Sequence, residues 1–227
     1  MDKYKYSYEY SSNYCYPDCD VLINKLNIKD ESLLNKYEKE LVAIRQAEIT
    51  IRPIKGDLNF EHLKAIHKYL FQDLYDWAGK TRTCNIAKKD LFCLSQFIDS
   101  YAGDVFGKLK NRNYLTNSSF NTLVDGLTSL FGDINALHPF REGNGRSQRE
   151  FINMIARING YELSFVSITS KDMIEASHMI NNGHEEMIRV LFEKNIHKID
   201  SSKQIDYIDK YVKNRILKKQ LLTLASK

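Results

Sequence analysis

The segment LHPFREGNGRSQREFI, residues 137–152, interrupts a chain that otherwise shows mostly helical patterns. It places Pro139, Gly143 and Gly145 close together, and residues of these types break helices. An amphipathic pattern resumes near Asn144, so the segment predicts two helices joined by a short loop. A plain connection does not need the histidine, glutamate, asparagine and arginines that crowd around the start of the second helix. The segment therefore marks a candidate site.

The loop and the helix after it have the residues of a phosphate site. Gly143 and Gly145 let a ligand approach the backbone closely, and the N–H groups of a helix's first turn bind anions. Arg146 and Arg149 are three residues apart, so both project from one side of the helix, where two guanidinium groups suit a polyphosphate. Glu142 is a hard oxygen ligand for magnesium carried by that polyphosphate.

A candidate base stands at the other edge of the loop. This residue is His138, and histidine is the side chain whose ordinary pKa lies nearest neutrality, so it is the natural general base. Phe140 is apolar among polar neighbours and is expected to anchor the loop in the core. The pattern as a whole predicts a nucleoside triphosphate site in which a base deprotonates a hydroxyl that then attacks phosphorus.

Helical periodicity recurs along most of the chain. The segments that show it are 30–49, 59–79, 95–111, 118–138, 147–163, 170–180, 184–196 and 203–222. Asp30 is the expected N-cap of the first segment. Its expected buried stripe is Leu34, Tyr37, Leu41 and Ile44. The last segment is expected to be one helix with a single apolar face formed by Ile205, Ile208, Val212 and Ile216. Residues 80–94 lack this periodicity, and a polar turn at 88–90 predicts a short hairpin.

The predicted fold is therefore all-α, a helical bundle with one short β-hairpin. The expected domain covers residues 1–197 and includes a Tyr-rich N-terminal arm, residues 1–20. Residues 198–227 are expected to form a basic amphipathic helix or tail, with eight Lys or Arg against three Asp or Glu. That tail could contact DNA, an acidic partner or nothing, and folding back onto the body is the default expectation. The arm's tyrosines could be self-modified or could form an ordered edge on the body, and the second is expected.

The composition excludes several classes of protein. The whole chain has 33 Lys or Arg against 29 Asp or Glu, so outside the tail it is close to neutral and direct nucleic-acid binding is not expected. No apolar run could span a bilayer and no signal-peptide core is seen, so a cytoplasmic protein without membrane contact is expected. Cys15, Cys19, Cys84 and Cys93 are expected to be free thiols. The histidines other than His138 are expected to be surface or packing residues.

The quoted segment resembles the motif of the Fic family, His-x-Phe-x-Asp/Glu-Gly-Asn-Gly-Arg-x-x-Arg, and meets every defined position. Residues 14–34 resemble the N-terminal region of the Fic class whose inhibitor is a separate protein. Residues 77–92 resemble the family's Trp-Ala-Gly segment and its target-docking hairpin, called the flap. The resemblance covers the chain from about residue 14 to about residue 195.

The resemblance implies a protein adenylyltransferase that uses ATP and Mg²⁺. The implied roles are His138 as base, Glu142 as metal ligand, Asn144 on the α-phosphate, Gly143 and Gly145 as backbone donors, and Arg146 and Arg149 on the β- and γ-phosphates. The flap would pair main chain to main chain with an extended target segment. The residues implied in that docking are Thr83, Cys84, Asn85, Ile86, Ala87, Lys88, Lys89 and Asp90. The product would be AMP on a serine, threonine or tyrosine, with pyrophosphate leaving.

The resemblance also implies a regulatory partner. Self-inhibited Fic proteins have a helix with the pattern Ser/Thr-x-x-x-Glu-Gly/Asn, whose Glu pairs with the second Arg of the motif. In this sequence the one Glu followed by Gly or Asn is Glu142, and His138 stands four residues before it. We therefore expect a small antitoxin protein that donates a Glu to Arg149. The chain would be the toxin of such a pair, and Fic toxins of this kind suggest a subunit of DNA gyrase or topoisomerase IV as target.

Two other functions fit the same resemblance. A Fic fold could transfer a phosphoryl, uridylyl or phosphocholine group, or it could be a non-catalytic binding module that regulates a partner. Fic relatives that act as kinases depart from Gly-Asn-Gly-Arg in the loop, and this chain does not. A missing His138 or Arg149 would favour the binding module, and both are present. Transfer of AMP is therefore the leading prediction.

Overall fold

The computed structural model describes residues 7–8, 12–88 and 90–226, without the side chains of residues 7, 8, 12, 88 and 90. The predicted flap residue Lys89 and residues 1–6 and 9–11 of the Tyr-rich arm therefore lie outside the described residues. The helices are α1 Glu31–Ile51, α2 Phe60–Phe71, α3 Ile98–Asn111, α4 Phe120–Leu137, α5 Asn144–Ile158, α6 Ser170–Asn181, α7 Glu186–Asn195, α8 Ser201–Tyr211 and α9 Arg215–Ala225. The strands are β1 Ser7–Tyr8, β2 Ile86–Lys88, β3 Asp90–Leu91, β4 Tyr161–Leu163 and β5 Ile196–Lys198.

The helix that begins inside the quoted segment is the centre of the fold. Helix α5 packs against α2, α4, α8 and β4. Because it has neighbours on several sides, side chains around much of its circumference are buried, among them Phe151, Ile152 and Ile155. The start of α5 is therefore fixed by the core, which gives the loop before it a rigid support.

The first helix begins as predicted but turns a different face to the core. The Asp30 carboxylate caps α1 by accepting a hydrogen bond from the Leu33 N–H at 2.7 Å. The predicted buried stripe is partly wrong, because Tyr37 and Ile44 are 42% and 56% exposed. The buried positions are Leu34, Glu38, Val42 and Ile49. A hydrophobic pattern cannot find this face because its central position is a glutamate.

Helix α2 is shorter than predicted. It ends at Phe71, and the backbone carbonyl of that residue accepts hydrogen bonds from both Leu74 and Tyr75. The chain then turns, so the predicted helical segment does not continue to Gly79. Gly79 lies at the end of these turns with φ +81°, and its N–H donates to His67 Nδ1 at 2.8 Å. This turn carries Tyr75 back toward α1, which a continuous helix would not do.

The C-terminal segment forms two helices and not one. The chain breaks after α8 because Val212 forms a parallel bridge with Gly56, and Asn214 then caps α9. Ile216 is consequently 72% exposed, against the prediction, whereas Ile208 and Val212 are buried. Helix α8 packs on α5, which confirms that the segment folds back on the body. The predicted boundary after residue 197 falls inside β5 and stays a prediction.

The predicted hairpin is confirmed, and it belongs to a larger sheet. Strands β2 and β3 pair antiparallel with Ala87 opposite Leu91. Strand β1 pairs antiparallel with the other side of β2, with Ser7 opposite Ala87 and Tyr8 opposite Ile86. A second antiparallel sheet, not predicted, joins β4 and β5. A small apolar cluster of Tyr14, Cys84, Ile86 and Phe92 underlies the hairpin.

Two further expectations concern the cysteines and membranes. Cys15, Cys19, Cys84 and Cys93 are free thiols, as predicted. In the described part of the chain, no helix has both the length and the apolar character needed to cross a membrane.

Candidate active site

The loop between α4 and α5 begins at His138, which sits in the left-handed region with φ +42° and ψ +59°. A non-glycine residue adopts this conformation at a cost of about 1–2 kcal/mol, so the surrounding structure must hold it there. The His138 N–H ends α4 by donating to the Ile134 carbonyl at 3.0 Å. The sharp turn directs the imidazole back over the end of α4.

The hydrogen bonding of the imidazole defines which nitrogen can act as a base. Nδ1 of His138 lies 3.2 Å from the Asn135 carbonyl oxygen. A carbonyl can only accept, so Nδ1 carries the hydrogen and the lone pair of the neutral ring is on Nε2. The ring stacks on Phe92 with 3.7 Å between centroids. Nε2 is therefore the atom of this site that suits proton abstraction.

A buried arginine ties His138 to the hairpin. Arg82 Nε donates to the His138 carbonyl at 2.8 Å, and its guanidinium also donates to the carbonyls of Cys84 and Cys93. Arg82 is only 2% exposed. The side chain of Arg82 thus joins both ends of the hairpin to His138, and the sequence analysis did not predict this role. The signal was an arginine directly before an apolar hairpin segment.

A buried histidine holds the middle of the loop. The ring of His67 stacks on Phe140 with 3.8 Å between centroids, and Phe140 is buried as predicted. His67 Nε2 donates to the Glu142 carbonyl at 2.9 Å, while Nδ1 accepts from Gly79. Burial lowers the pKa of His67 to about 3, so the ring stays neutral and keeps this pattern at physiological pH. The packing role expected of His67 is thus joined by a second role, which is to position the loop.

Asn144 closes the loop on itself. Its Oδ1 accepts from the Phe140 N–H at 2.8 Å, and its Nδ2 donates to the Phe140 carbonyl at 2.7 Å. The side chain is buried, and these two bonds fix it. A contact to an α-phosphate would rely on the second hydrogen of Nδ2. That contact stays a prediction, and the structure assigns Asn144 a loop-closing role besides it.

The backbone at the start of α5 is arranged for an anion. The Gly143 N–H donates to Glu142 Oε1 at 2.9 Å. Within the described residues, the N–H groups of Asn144, Gly145 and Arg146 have no acceptor, and no side chain caps the helix. Such groups need a partner, and together with the helix dipole they favour a negative ligand.

Gly143 is required by both its conformation and its neighbours. Its φ is +82°, and a Cβ atom there would lie 2.2 Å from Phe71 Cζ. We expect Gly143→Ala to lower the free energy of unfolding by about 2–4 kcal/mol, because left-handed strain and overpacking add. Gly183→Ala is the matched control, since Gly183 has φ +83° and open space around it.

The control should lose only about 1–2 kcal/mol, the cost of the backbone conformation alone. Urea denaturation of the two variants and the parent measures both values. Equal losses in the two variants would show that the contact with Phe71 has no energetic consequence.

The first motif arginine is neutralised by carboxylates. Arg146 Nη2 donates to Glu38 Oε1 at 2.7 Å and lies 3.6 Å from Glu142 Oε1. Its guanidinium also lies over the ring of Phe71, 4.6 Å from the centroid. Burial alone would lower the pKa of Arg146, but the two carboxylates outweigh it and the pKa rises. Arg146 is thus fixed in place before any ligand arrives.

The second motif arginine has no such compensation. Among the described residues, no carboxylate lies within ion-pair distance of Arg149, whose guanidinium sits 5.9 Å from the centroid of the Phe165 ring. Burial, and next the charge of Arg146, lower the pKa of Arg149 and outweigh the opposing charge of Glu150, although Arg149 remains a cation at neutral pH. A half-buried cation with no carboxylate at ion-pair distance among the described residues, close to the start of α5, is suited to an incoming anion.

Glu142 could hold a metal only together with a ligand. No group of three or more metal-binding side chains occurs among the described residues. The Glu142 side chain is 29% exposed at the loop. Magnesium bound to a polyphosphate usually takes one or two protein carboxylates and keeps several waters. The donor set therefore fits magnesium that arrives on a nucleotide, and it does not fit a cation held by the protein alone.

The hairpin lies beside this site, and its β2 strand is already paired on both sides. Strand β3 occupies one edge and β1 the other, and the Thr83 N–H donates to the Tyr14 hydroxyl at 3.1 Å. The structure thus brings the predicted flap next to His138 through Phe92 and Arg82. Docking of a target along residues 83–90 stays a prediction.

Comparison with known proteins decides the family. The sequence pattern of the Fic/DOC family matches residues 57–156, which include the hairpin, the loop and most of α5. The probable protein adenylyltransferase y4lH of Sinorhizobium fredii is 38% identical over 164 residues, 71% of this chain and 84% of that protein. The chain belongs to the Fic/DOC family. The predicted family and fold are confirmed, whereas the class with a separate inhibitor stays a prediction.

Other Fic relatives extend the comparison. The protein adenylyltransferase VbhT of Bartonella schoenbuchensis is 34% identical over 212 residues, 92% of this chain but 44% of VbhT. The N-terminal Fic domain of a Bep effector from Bartonella quintana, solved with bound ADP, has a TM-score of 0.78 at 27% identity, covering 83% of this chain and 96% of that domain. VbhT is named a protein adenylyltransferase and y4lH a probable one, which confirms the predicted enzyme class.

Proposed function

We propose that this chain transfers AMP from ATP to a hydroxyl side chain of another protein. The observation that carries the proposal is a single short loop with His138 at one end and an uncapped helix start at the other, where the described residues supply no acceptor for the first backbone amides and no carboxylate at ion-pair distance from Arg149. In the proposed reaction the target hydroxyl oxygen attacks the α-phosphorus, and its proton moves to His138 Nε2. The bond from the α-phosphorus to the α–β bridging oxygen breaks, and pyrophosphate leaves.

The arginines and the helix start would supply most of the rate. Arg146 and Arg149 would hold the β- and γ-phosphates, which places the α-phosphorus before the base. The first-turn amides of α5 would neutralise developing charge on the phosphates. Similar Fic domains solved with bound ADP and with bound AMPPNP support a nucleotide as the ligand. Magnesium, held by Glu142, would neutralise the phosphates when bound.

The same arrangement supports the proposed inhibitor. A glutamate donated by a small antitoxin protein would pair with Arg149, which has no carboxylate partner in the described part of the chain. The pair would occupy the position of the γ-phosphate and stop productive ATP binding. The chain would then be the toxin of a toxin–antitoxin pair in the cytoplasm.

The proposed target is a subunit of DNA gyrase or topoisomerase IV, docked on the flap. This proposal rests on the resemblance to Fic toxins. The flap supports it only in general terms, since short exposed strands can add an extended segment of a partner.

The experiment that tests the function compares labels on two phosphates of ATP. Purified chain and gyrase or topoisomerase IV subunits are incubated with Mg²⁺ and ATP labelled at the α- or the γ-phosphate. We expect α-label, and no γ-label, to become protein-bound, because pyrophosphate leaves with the β- and γ-phosphates.

Each other outcome names a different function. Protein-bound γ-label would indicate a phosphoryl transferase. Absence of both labels from these subunits and from all proteins of a bacterial lysate, with intact nucleotide binding, would indicate a binding module. Protein-bound α-label in a bacterial lysate but not on these subunits would keep the chemistry and reject the proposed targets.

A further inference from the structure

A buried carboxylate on α1 has no role in the Fic motif. Glu38 lies between Leu34 and Val42 on the core face of the helix, where an apolar residue is expected. Its side chain is only 12% exposed. Burying a charge is costly unless it is paired and hydrogen-bonded, so a glutamate at this position needs a reason.

Both oxygens of Glu38 are engaged. Oε1 accepts from Arg146 Nη2 at 2.7 Å, and Oε2 accepts from the Tyr75 hydroxyl at 2.5 Å. Tyr75 is almost fully buried, and burial together with the charge of Glu38 raises its pKa, so it stays a donor. The carboxylate is therefore held from two sides and presents one fixed oxygen to Arg146.

Arg146 has a second carboxylate nearby, and this creates a competition. Glu142 Oε1 lies 3.6 Å from the same Nη2 atom, a looser ion pair than the one with Glu38 at 2.7 Å, and it also accepts from the Gly143 N–H. Under the proposed function Glu142 must serve the magnesium of ATP. If Arg146 closed on Glu142, the cation and the metal would compete for one carboxylate. Glu38 forms the shorter hydrogen bond with Arg146, and this limits how closely Arg146 can pair with Glu142, whose carboxylate can then bind the metal.

We propose that Glu38 is a positioning residue that holds Arg146 on the phosphate site and keeps Glu142 free to serve magnesium. The inference rests on the proposed function and deepens it. It assigns a part of the active site to a helix more than a hundred residues before the motif arginine. This role predicts that Glu38 affects how much Mg²⁺ increases the affinity for the nucleotide. A residue with only a structural role would not change that increase.

The test is a binding measurement that needs no turnover. The probe is α,β-methylene ATP, whose α–β bridge the chain cannot cleave, and calorimetry measures its Kd with and without Mg²⁺. In Glu38→Gln the amide retains an acceptor for Arg146 and a donor toward Tyr75, but the charge is lost. We expect the Mg²⁺-dependent gain in affinity to fall by about tenfold, the worth of one charged contact.

The chain offers a matched control on the same helix. Glu48 accepts on Oε2 from the Tyr69 hydroxyl at 2.8 Å and from Arg45 at 2.9 Å, so it has the same two kinds of partner away from the loop, with a more exposed side chain. Glu48→Gln should leave the Mg²⁺-dependent gain unchanged. Equal gains in the parent and in Glu38→Gln would overturn the inference.

A second variant covers the case in which Glu38→Gln does not fold. Tyr75→Phe removes one of the two groups that hold Glu38, and it should reduce the Mg²⁺-dependent gain by a smaller factor. A folded Tyr75→Phe with an unchanged gain would also overturn the inference. If the parent binds the analogue but shows no gain in affinity with Mg²⁺, the proposed role of Glu142 in holding the metal is wrong. If the parent does not bind the analogue at all, the proposed function is wrong.

Discussion

His138→Ala is expected to lower transfer of AMP to a target protein by about 10²–10⁴-fold, the usual contribution of a general base. The affinity for ATP should change little, because the base and the phosphate site are different groups. The proposed base is the imidazole of His138, which lies against the Asn135 carbonyl and the ring of Phe92. The proposed phosphate site is the start of α5 with its two arginines. Single-turnover transfer and nucleotide binding measure the two quantities separately.

A control is needed because His138 also has a structural role. It occupies the left-handed region at the end of α4, where alanine is strained and asparagine is better tolerated. His138→Asn should therefore be as inactive as His138→Ala while losing less free energy of unfolding. Either variant retaining more than about a tenth of the parent rate would show that His138 is not the base.

Arg149→Ala is expected to reduce kcat/KM for ATP by at least about 10²-fold, because the triphosphate loses a charged, directional partner. Its stability should not fall. Arg149 has no carboxylate partner among the described residues, and the nearby charge of Arg146 opposes it. We therefore expect an unfolding free energy equal to that of the parent or higher by less than about 1 kcal/mol.

Arg146→Ala provides the contrast. It leaves the buried Glu38 without its cationic partner, so it should lose about 3–5 kcal/mol of unfolding free energy as well as activity. Urea denaturation and transfer assays on the two variants separate the roles. A loss of unfolding free energy in Arg149→Ala as large as in Arg146→Ala would contradict the view that Arg149 does not stabilise the fold and is available to bind an anion.

The local chemistry of the site was predictable because it is encoded by neighbouring residues. The break before Asn144, the cap at Asp30 and the hairpin turn each depend on a few adjacent positions. The motif resemblance added the roles of His138 and Arg149. These features needed no knowledge of the distant chain.

The predictions that were wrong concern features that depend on contacts between distant segments of the chain. Helix α2 ends early and the turns after it place Tyr75 at Glu38, and the C-terminal segment breaks where Val212 bridges to Gly56. The contacts by which Glu38, His67 and Arg82 hold the site could not be predicted from the sequence either. Periodicity reports which face of a helix is apolar, but it cannot report which buried polar residue meets a partner from elsewhere.

The strand β1 has a quantitative consequence for any protein that docks on the hairpin. Because it belongs to the same chain, with Tyr14 held at Thr83 nearby, it acts on β2 at an effective concentration on the order of millimolar. A target segment present at micromolar concentration must bind that side of β2 roughly a thousandfold more tightly than β1 does to displace it. A segment that binds more weakly can pair only with the outer edge of β3. The strand β1 would therefore restrict pairing with β2 to target segments of high affinity.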